Sequence, residues 1–232
     1  KYVKGIAFYG NRKRPVADAY AIFHFRNEWK KKVKEHPSAR SYKRIGTPGL
    51  VSLINHVEAF PSRYWHDGKM EDWESISGET LHSDFYVRPH ACYMCLLACG
   101  RMTKIDKGKY AGLKIEGPEY ETLYAFGGLC LIKNLEDIIF LNDLSDRLGL
   151  DTISAGNLCA FAIEASKQNK IDEKIDYGDT DAIAKLLEDM SYRRGIGAIL
   201  AEGIVHAAKT FGMEDLAIHV KGMEPAGYDP RY

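Results

Sequence analysis

The stretch NLEDIIFLNDLSDRLGLDTIS, Asn134 to Ser154, decides how the rest of the chain is read. Leu135, Ile138, Ile139, Leu141, Leu144 and Leu148 recur at helical spacing and make a broad apolar face. Asn134 suits the cap, and Glu136 and Asp137 fall in the first turn, where the helix dipole favours acids. Gly149 suits the left-handed residue that closes such a helix. The pattern predicts a helix over 134–148 and a second from about Ser154 to Lys167, with Asp151 or Thr152 as its cap. Similar signals predict helices from Thr180 to near Gly195 and from about Ala198 to Thr210, the last ended by Gly212.

Towards the N-terminus the signals are more mixed. YVKGIAFYG, Tyr2 to Gly10, reads as a strand, and Asp18 to about Glu35 as a helix that Pro37 and Ser38 break. Thr47 and Pro48 open a further helix with Leu50, Val51, Ile54 and Val57 on its apolar side. Residues 60–90 look irregular, anchored by Trp65 and Trp73, and the stretch from Thr103 to Thr122 reads as a hairpin or extended loop. The predicted fold class is mainly α, a multi-helical domain with a short β element near the N-terminus.

Bulk composition narrows the partners. The chain has 232 residues and a formal net charge of +0, which argues against nucleic acid or an anionic membrane as the main partner. The lysines from Lys30 to Lys34 read as a solvated helix end. No apolar run approaches the ~20 residues of a membrane span. Five cysteines in a chain this long do not make a disulfide framework, and a reducing, cytoplasmic setting is expected.

Three of those cysteines stand together in HACYMCLLACG: Cys92, Cys95 and Cys99. Thiolates are soft ligands, so iron–sulfur, zinc and incidental core cysteines are the readings open, with the apolar flanks Tyr93, Met94, Leu96, Leu97 and Ala98 favouring a buried redox centre. Cys95 and Cys99 would share a face if a helical turn starts there. Cys130 and Cys159 lie in apolar stretches and read as small buried hydrophobes, and His90 lacks a ligand-pair spacing. In GPEYET, Glu119 and Glu121 would point the same way in an extended segment; either is a solvated loop acid or, if buried, a general acid or base. Asp146 opposes the dipole in the last turn of its helix, and with Asp151 it flanks a tight link; carboxylates there could accept the paired N–H donors of a pterin or purine. His219 and Lys221 lie on what reads as a strand, one face shared between them.

Taken together, GTPGLVSLINHVEAFPSRYW, CYMCLLACG, EGPEYETLYAFGGLC, LNDLSDRLGLDTIS and KGMEPAGYDPR resemble the central part of the tungsten-dependent aldehyde:ferredoxin oxidoreductases, over roughly residues 40 to 232. The resemblance implies a tungsten (or molybdenum) bis-pterin beside one [4Fe–4S] cluster, aldehyde oxidation to carboxylic acid, and electron transfer to ferredoxin. It makes Cys92, Cys95 and Cys99 cluster ligands; it assigns Asp146, Gly149, Leu150 and Asp151 to a pterin, Glu121 to proton acceptance and His219 to the metal's vicinity. It divides the chain into residues 1–217, the cofactor-binding central domain, and residues 218–232, the start of the next. The family's β-rich N-terminal domain and its C-terminal domain have no counterpart in this sequence. The expectation is therefore a piece of a larger enzyme, inactive alone, with the fourth cluster ligand beyond Tyr232; homo-oligomerisation is left open. Tyr64 stands where the family often has Asn. A non-catalytic iron–sulfur electron-transfer module, a zinc-stabilised interaction domain, and a relative that reduces an aromatic acyl thioester are the competing expectations.

Overall fold

The computed structural model describes residues 5–12 and 14–231. Helix α1 (Ala19–Glu35) starts at Asp18, whose side chain accepts from the N–H of Ala21 at 2.9 Å. α1 ends at Glu35 as the sequence suggested: His36, the residue before Pro37, is extended (ψ 127°), and Pro37 also begins the next helix. It occupies the first position of α2 (Pro37–Ile45), where a missing N–H is harmless. A short 3-10 turn (Thr47–Gly49) leads into α3 (Leu50–His56), which buries Val51 and leaves Val57 beyond its end, 58% exposed, against the sequence expectation.

The region from 60 to 90 is more ordered than its sequence suggests. It holds a 3-10 turn (Trp73–Ile76), α4 (Gly78–Asp84) capped by Ser77, and strand β1 (Tyr86–His90). Trp65 is buried as an anchor. β1 pairs antiparallel with β2 (Gly100–Lys104), and β2 with β3 (Lys114–Glu116). The small sheet therefore lies here and not at the start of the chain: residues 5–10 form no strand, and residues 1–4 of the expected one lie outside the described residues. The pair His90↔Gly100 closes the β1–β2 hairpin, so all three clustered cysteines sit in its connecting loop.

The second half is helical. A single turn, α5 (Tyr120–Thr122), continues into a π-helix (Leu123–Leu129) whose residues are all buried. α6 (Leu135–Leu148) is capped by Asn134, which accepts from the N–H of Glu136 at 3.0 Å, and ends at Gly149 with φ 72°. α7 (Thr152–Lys167) is buried on every side from Ala155 to Ser166 and packs on α5, the π-helix, α6 and α8 (Thr180–Tyr192). A helix apolar all round belongs in the centre, and α7 is the axis of the core. The last predicted helix is split at Gly203 into α9 (Ile196–Leu200) and α10 (Ile204–Phe211). Among the described residues no helix is long and apolar enough to cross a membrane.

Candidate functional site

The cysteine loop is built by the hairpin. The N–H of Cys95 donates to the carbonyl of Cys92 at 2.9 Å, closing a turn, and Met94 (φ 58°) and Ala98 (φ 50°) bend the chain through left-handed conformations. No helical turn forms, so Cys95 and Cys99 do not share a helix face. Nor are the flanks buried in this chain: Tyr93 is 94% exposed and Met94 54%. Cys92 and Cys95 are exposed and Cys99 is half-buried. The backbone N–H groups of Ala98 and Leu97 bond the sulfur of Cys95 and hold its thiol below the usual range, towards the thiolate that binds metals.

Beneath this loop lies Arg101, which sequence reasoning missed. It is 1% exposed and donates to the carbonyls of Ala98 (2.9 Å), Gly100 (2.7 Å) and Tyr42 (2.5 Å), leaving its Nε–H buried without a partner among the described residues. Burial lowers its pKa, and the neighbouring Tyr86, Glu119 and Cys99 oppose that by favouring its charge. The only sequence signal was an arginine on an otherwise inward position of a strand following Gly100.

Three soft donors over a buried cation suit an anionic sulfur-ligated centre, with three ligands from this chain. The sulfurs are on one loop but not gathered: among the described residues no three His, Cys, Asp or Glu side chains converge as a metal site. Cys130 and Cys159 are fully buried, and burial raises both thiols, as expected of core hydrophobes. His90 pairs with Glu116 at 3.5 Å.

The second constellation lies around α5. Glu119 is extended and Tyr120 opens the helical turn, so the two acids diverge where the sequence suggested alignment. Thr47 explains the divergence. Its hydroxyl donates to Glu119 Oε2 and accepts the N–H of Tyr120 at 3.0 Å; it serves this turn and not its own helix. Glu121 turns the other way, and its Oε2 accepts the N–H of Gly227 at 3.0 Å. Burial raises the Glu121 pKa; the Gly227 N–H works against that rise, and the charge of Asp151 adds to it. Glu119 is raised likewise by burial, with Thr47 opposing.

The segment that meets Glu121 is fastened from below. Tyr120 donates its hydroxyl to the carbonyl of Gly227, and Tyr124 donates to that of Pro225 at 2.5 Å. Asn157 on α7 donates to the Tyr124 oxygen at 2.8 Å and accepts from Trp65 Nε1 at 2.9 Å. Trp65 is itself set by three consecutive left-handed residues, Arg63 (φ 47°), Tyr64 (φ 44°) and Trp65 (φ 65°), a conformation bulky side chains rarely adopt. Main-chain bonds from Arg63 and Tyr64 to Gly128 and Leu129 hold that turn on the π-helix. None of Trp65, Tyr120, Tyr124 or Asn157 was legible as a site residue, because each reads as core.

The acidic link after α6 is partly as expected. Asp151 caps α7 through the N–H of Ser154 at 2.9 Å, and its Oδ1 has no protein partner among the described residues. Asp146 is exposed, with one oxygen bonded by Asn142 at 3.0 Å; burial, Asp143 and Glu116 raise its pKa. Leu150 and Asp151 open on a cavity of about 230 Å³ that also meets Glu224. Glu224 is held by Ser154 at 3.0 Å and by the N–H of Ile204 at 3.3 Å. Asp151 Oδ1 is thus the one carboxylate oxygen on this cavity without a partner among the described residues, and Asp146 does not line it. His219 is not on a strand; it precedes a turn bridged by Val220 and Met223, is exposed, and accepts the N–H of Gly222 at 3.2 Å. The structure thus brings Glu121, Asp151 and the 224–227 segment together, and leaves His219 bonded only within its own turn among the described residues. Tyr64, buried, accepts the N–H of Ile218 at 3.3 Å and ties that turn to the strained loop.

Comparison with known proteins shows the family of the chain. The sequence model described as "Aldehyde ferredoxin oxidoreductase, domains 2 & 3" matches residues 24–232. Tungsten-containing aldehyde ferredoxin oxidoreductases of Thermococcus kodakarensis and Pyrococcus furiosus are each 34% identical over 239 residues, covering 100% of this chain and 39% of theirs. An aliphatic sulfonate oxidoreductase, WOR-like subunit, of Pyrococcus furiosus is 33% identical over 204 residues, covering 82% of this chain and 32% of its own. Among solved structures, the active site complex BamBC of benzoyl coenzyme A reductase with 1,5-dienoyl-CoA shares the fold, with a TM-score of 0.67 at 21% identity over 90% of this chain and 33% of that one. The chain spans 39% of the length of the first curated relatives it matches. It belongs to the aldehyde ferredoxin oxidoreductase family.

Proposed function

We propose that this chain is the central part of a tungstopterin oxidoreductase that converts aldehydes to carboxylic acids and hands the electrons through a [4Fe–4S] cluster to ferredoxin, in the cytoplasm. Aldehyde and water give carboxylic acid, two protons and two electrons. The bound tungsten–pterin would supply the two-electron redox chemistry and the cluster single-electron transfer. Asp146 and Asp151, with the link Gly149–Leu150 between them, would hold a pterin edge. Cys92, Cys95 and Cys99 would supply three of four cluster ligands. Residues 218–232 would begin the next domain, and the chain alone would not turn over.

The observation that carries the reading is Glu121: a carboxylate near enough to Asp151 to feel its charge, held at one oxygen by the Gly227 N–H, with its pKa raised by burial. A base of raised pKa takes a proton near neutrality more readily than an ordinary carboxylate. Its other oxygen is the atom that would accept the proton lost as the carbonyl becomes a carboxylate. His219 would move from its turn to hydrogen-bond the substrate oxygen. In the complete enzyme Glu121→Gln is expected to lower kcat by about two orders of magnitude or more, the usual span for a general base. Unchanged turnover in that variant rejects the assignment. Metal analysis of the anaerobically reconstituted chain separates the readings: iron with sulfide supports the cluster, and one zinc without iron supports an interaction domain instead.

A further inference from the structure

Arg101 is the largest fully buried side chain among the described residues, and no carboxylate answers its charge. It forms no ion pair there: its three bonds go to neutral carbonyls. The acids nearby are engaged elsewhere. Glu119 acts on the guanidinium through space but is bonded by Thr47, and Glu116, beside Gly100, pairs with His90 at 3.5 Å. An arginine this deeply buried is normally paired, because a lone charge in a low-dielectric interior is costly. Its placement is also specific. Nη1 bonds the carbonyls of Ala98 and Gly100, the residues on either side of Cys99, while Nη2 reaches Tyr42 in α2. Gly46 (φ 79°) closes on the same point: a methyl group there would stand 2.4 Å from the Cys99 carbonyl oxygen and 3.1 Å from the guanidinium carbon. A guanidinium carries its donors in a fixed fork, so the charge and the Cys99 backbone are held in one arrangement. The buried Nε–H has no partner at all among the described residues. A fixed cation gripping the backbone of a thiol ligand is one half of an ion pair.

We infer that Arg101 is the fixed counter-charge of the centre that Cys92, Cys95 and Cys99 would hold, a positioning residue that sets Cys99 and favours an added electron. The inference rests on the proposed reading of that loop as cluster-binding. Thiolates around iron and sulfide bring net negative charge, and a buried cation offsets it where water cannot. When one electron enters from a low-potential reductant, no bond forms or breaks and the negative charge rises by one. The guanidinium stays protonated throughout, so no proton moves. Beside a buried cation that extra charge is stabilised more than it is in water, so the reduced form is favoured and the potential rises. An exposed arginine of the same sheet, Arg88 on β1, is screened by solvent and has little such effect.

The test compares the 232-residue chain with Arg101→Gln, Arg101→Lys and the control Arg88→Gln, with circular dichroism to verify folding. Each is reconstituted anaerobically with iron, sulfide and dithiothreitol, then titrated with dithionite and viologen mediators while electron paramagnetic resonance reads the reduced centre. At a fixed potential the reduced-to-oxidised ratio of Arg101→Gln should be lower by about tenfold or more, which is about 59 mV for a one-electron couple. Arg101→Lys keeps the charge, and it and Arg88→Gln should stay within about threefold of wild type. Iron uptake by Arg101→Lys but not by Arg101→Gln supports the proposal as well. A wild-type ratio in Arg101→Gln, equal shifts in the two Arg101 variants, or loss of fold or uptake in both overturns it and leaves Arg101 a clasp for the loop. Cobalt(II) titration of the metal-free chains, read at the thiolate-to-cobalt absorption, needs no cluster. Arg101→Gln should bind cobalt about tenfold more weakly than wild type, and Arg101→Lys within about threefold, since the bound thiolates carry the same sign of charge. The two readings fail separately. Cobalt binding in that order without iron uptake removes the cluster reading alone, iron uptake with an unchanged ratio removes the counter-charge alone, and uptake of neither metal removes both.

Discussion

Gly156→Ala is the sharpest test of how the core holds the site. Gly156 lies in the second turn of α7, where alanine is normally better than glycine by about 1 kcal/mol. Here a methyl group at that position would meet the Cβ of Ala125 at 2.6 Å and its main-chain carbon and oxygen at 2.9 Å. Non-bonded carbons settle about 3.5–4.0 Å apart, so the contact is repulsive. Two of the three atoms are backbone of the π-helix and cannot rotate away. Overpacking of this kind typically destabilises by roughly 1–3 kcal/mol, sometimes more, and a rigid neighbour places this site at the upper end. Setting the helix gain against that leaves a net loss of about 2 kcal/mol, or about 4–8 °C in Tm for a domain of this size. Scanning calorimetry of wild type, Gly156→Ala, Ala125→Gly and the double variant reads the coupling directly. The double variant should recover part of the loss, since the methyl at 2.6 Å is gone. A higher Tm in Gly156→Ala, or strict additivity in the cycle, refutes the close approach. The displaced π-helix also carries Tyr124, so hydrogen exchange at Gly227 should quicken in the same variant.

The polar contacts give further outcomes. The folded-state pKa of Glu121 is raised, so the folded protein holds its proton above the pH at which the unfolded chain releases it, and that contribution is lost as pH rises through the folded value. Glu121→Gln is therefore expected to stabilise the chain at neutral pH and to lose that advantage as pH falls towards the ordinary Glu value of about 4.3, read by denaturant melts across the range. Tyr124→Phe leaves the Pro225 carbonyl without its donor, at a loss of about 1–3 kcal/mol, with exchange at the 225–227 backbone rising more than in α8; protection unchanged there would mean the segment is held by other contacts. Cys95→Ser, on an exposed loop, should leave the melting temperature within about 1 °C, as surface changes do, while abolishing stoichiometric iron uptake on reconstitution; full iron loading would remove Cys95 from the ligand set.

The sequence alone determined the helical second half, because caps, periodicity and terminal glycines are local. Asn134, Asp151 and Gly149 act within a few residues of themselves, and each does what its position foretold. The cysteine spacing and the acidic link after α6 were legible for the same reason, and so was the family. What the tertiary structure decided was everything that depends on distant partners. Glu119 and Glu121 part company because Thr47, 72 residues from Glu119, captures one, and Gly227, 106 residues from Glu121, captures the other. Arg101 became a buried cation only when α2 brought the Tyr42 carbonyl to it. Trp65, Asn157 and Tyr124 spelled core in the sequence and became a fastening for the segment at Pro225 in space, since a buried polar atom takes its role from whichever partner folding delivers.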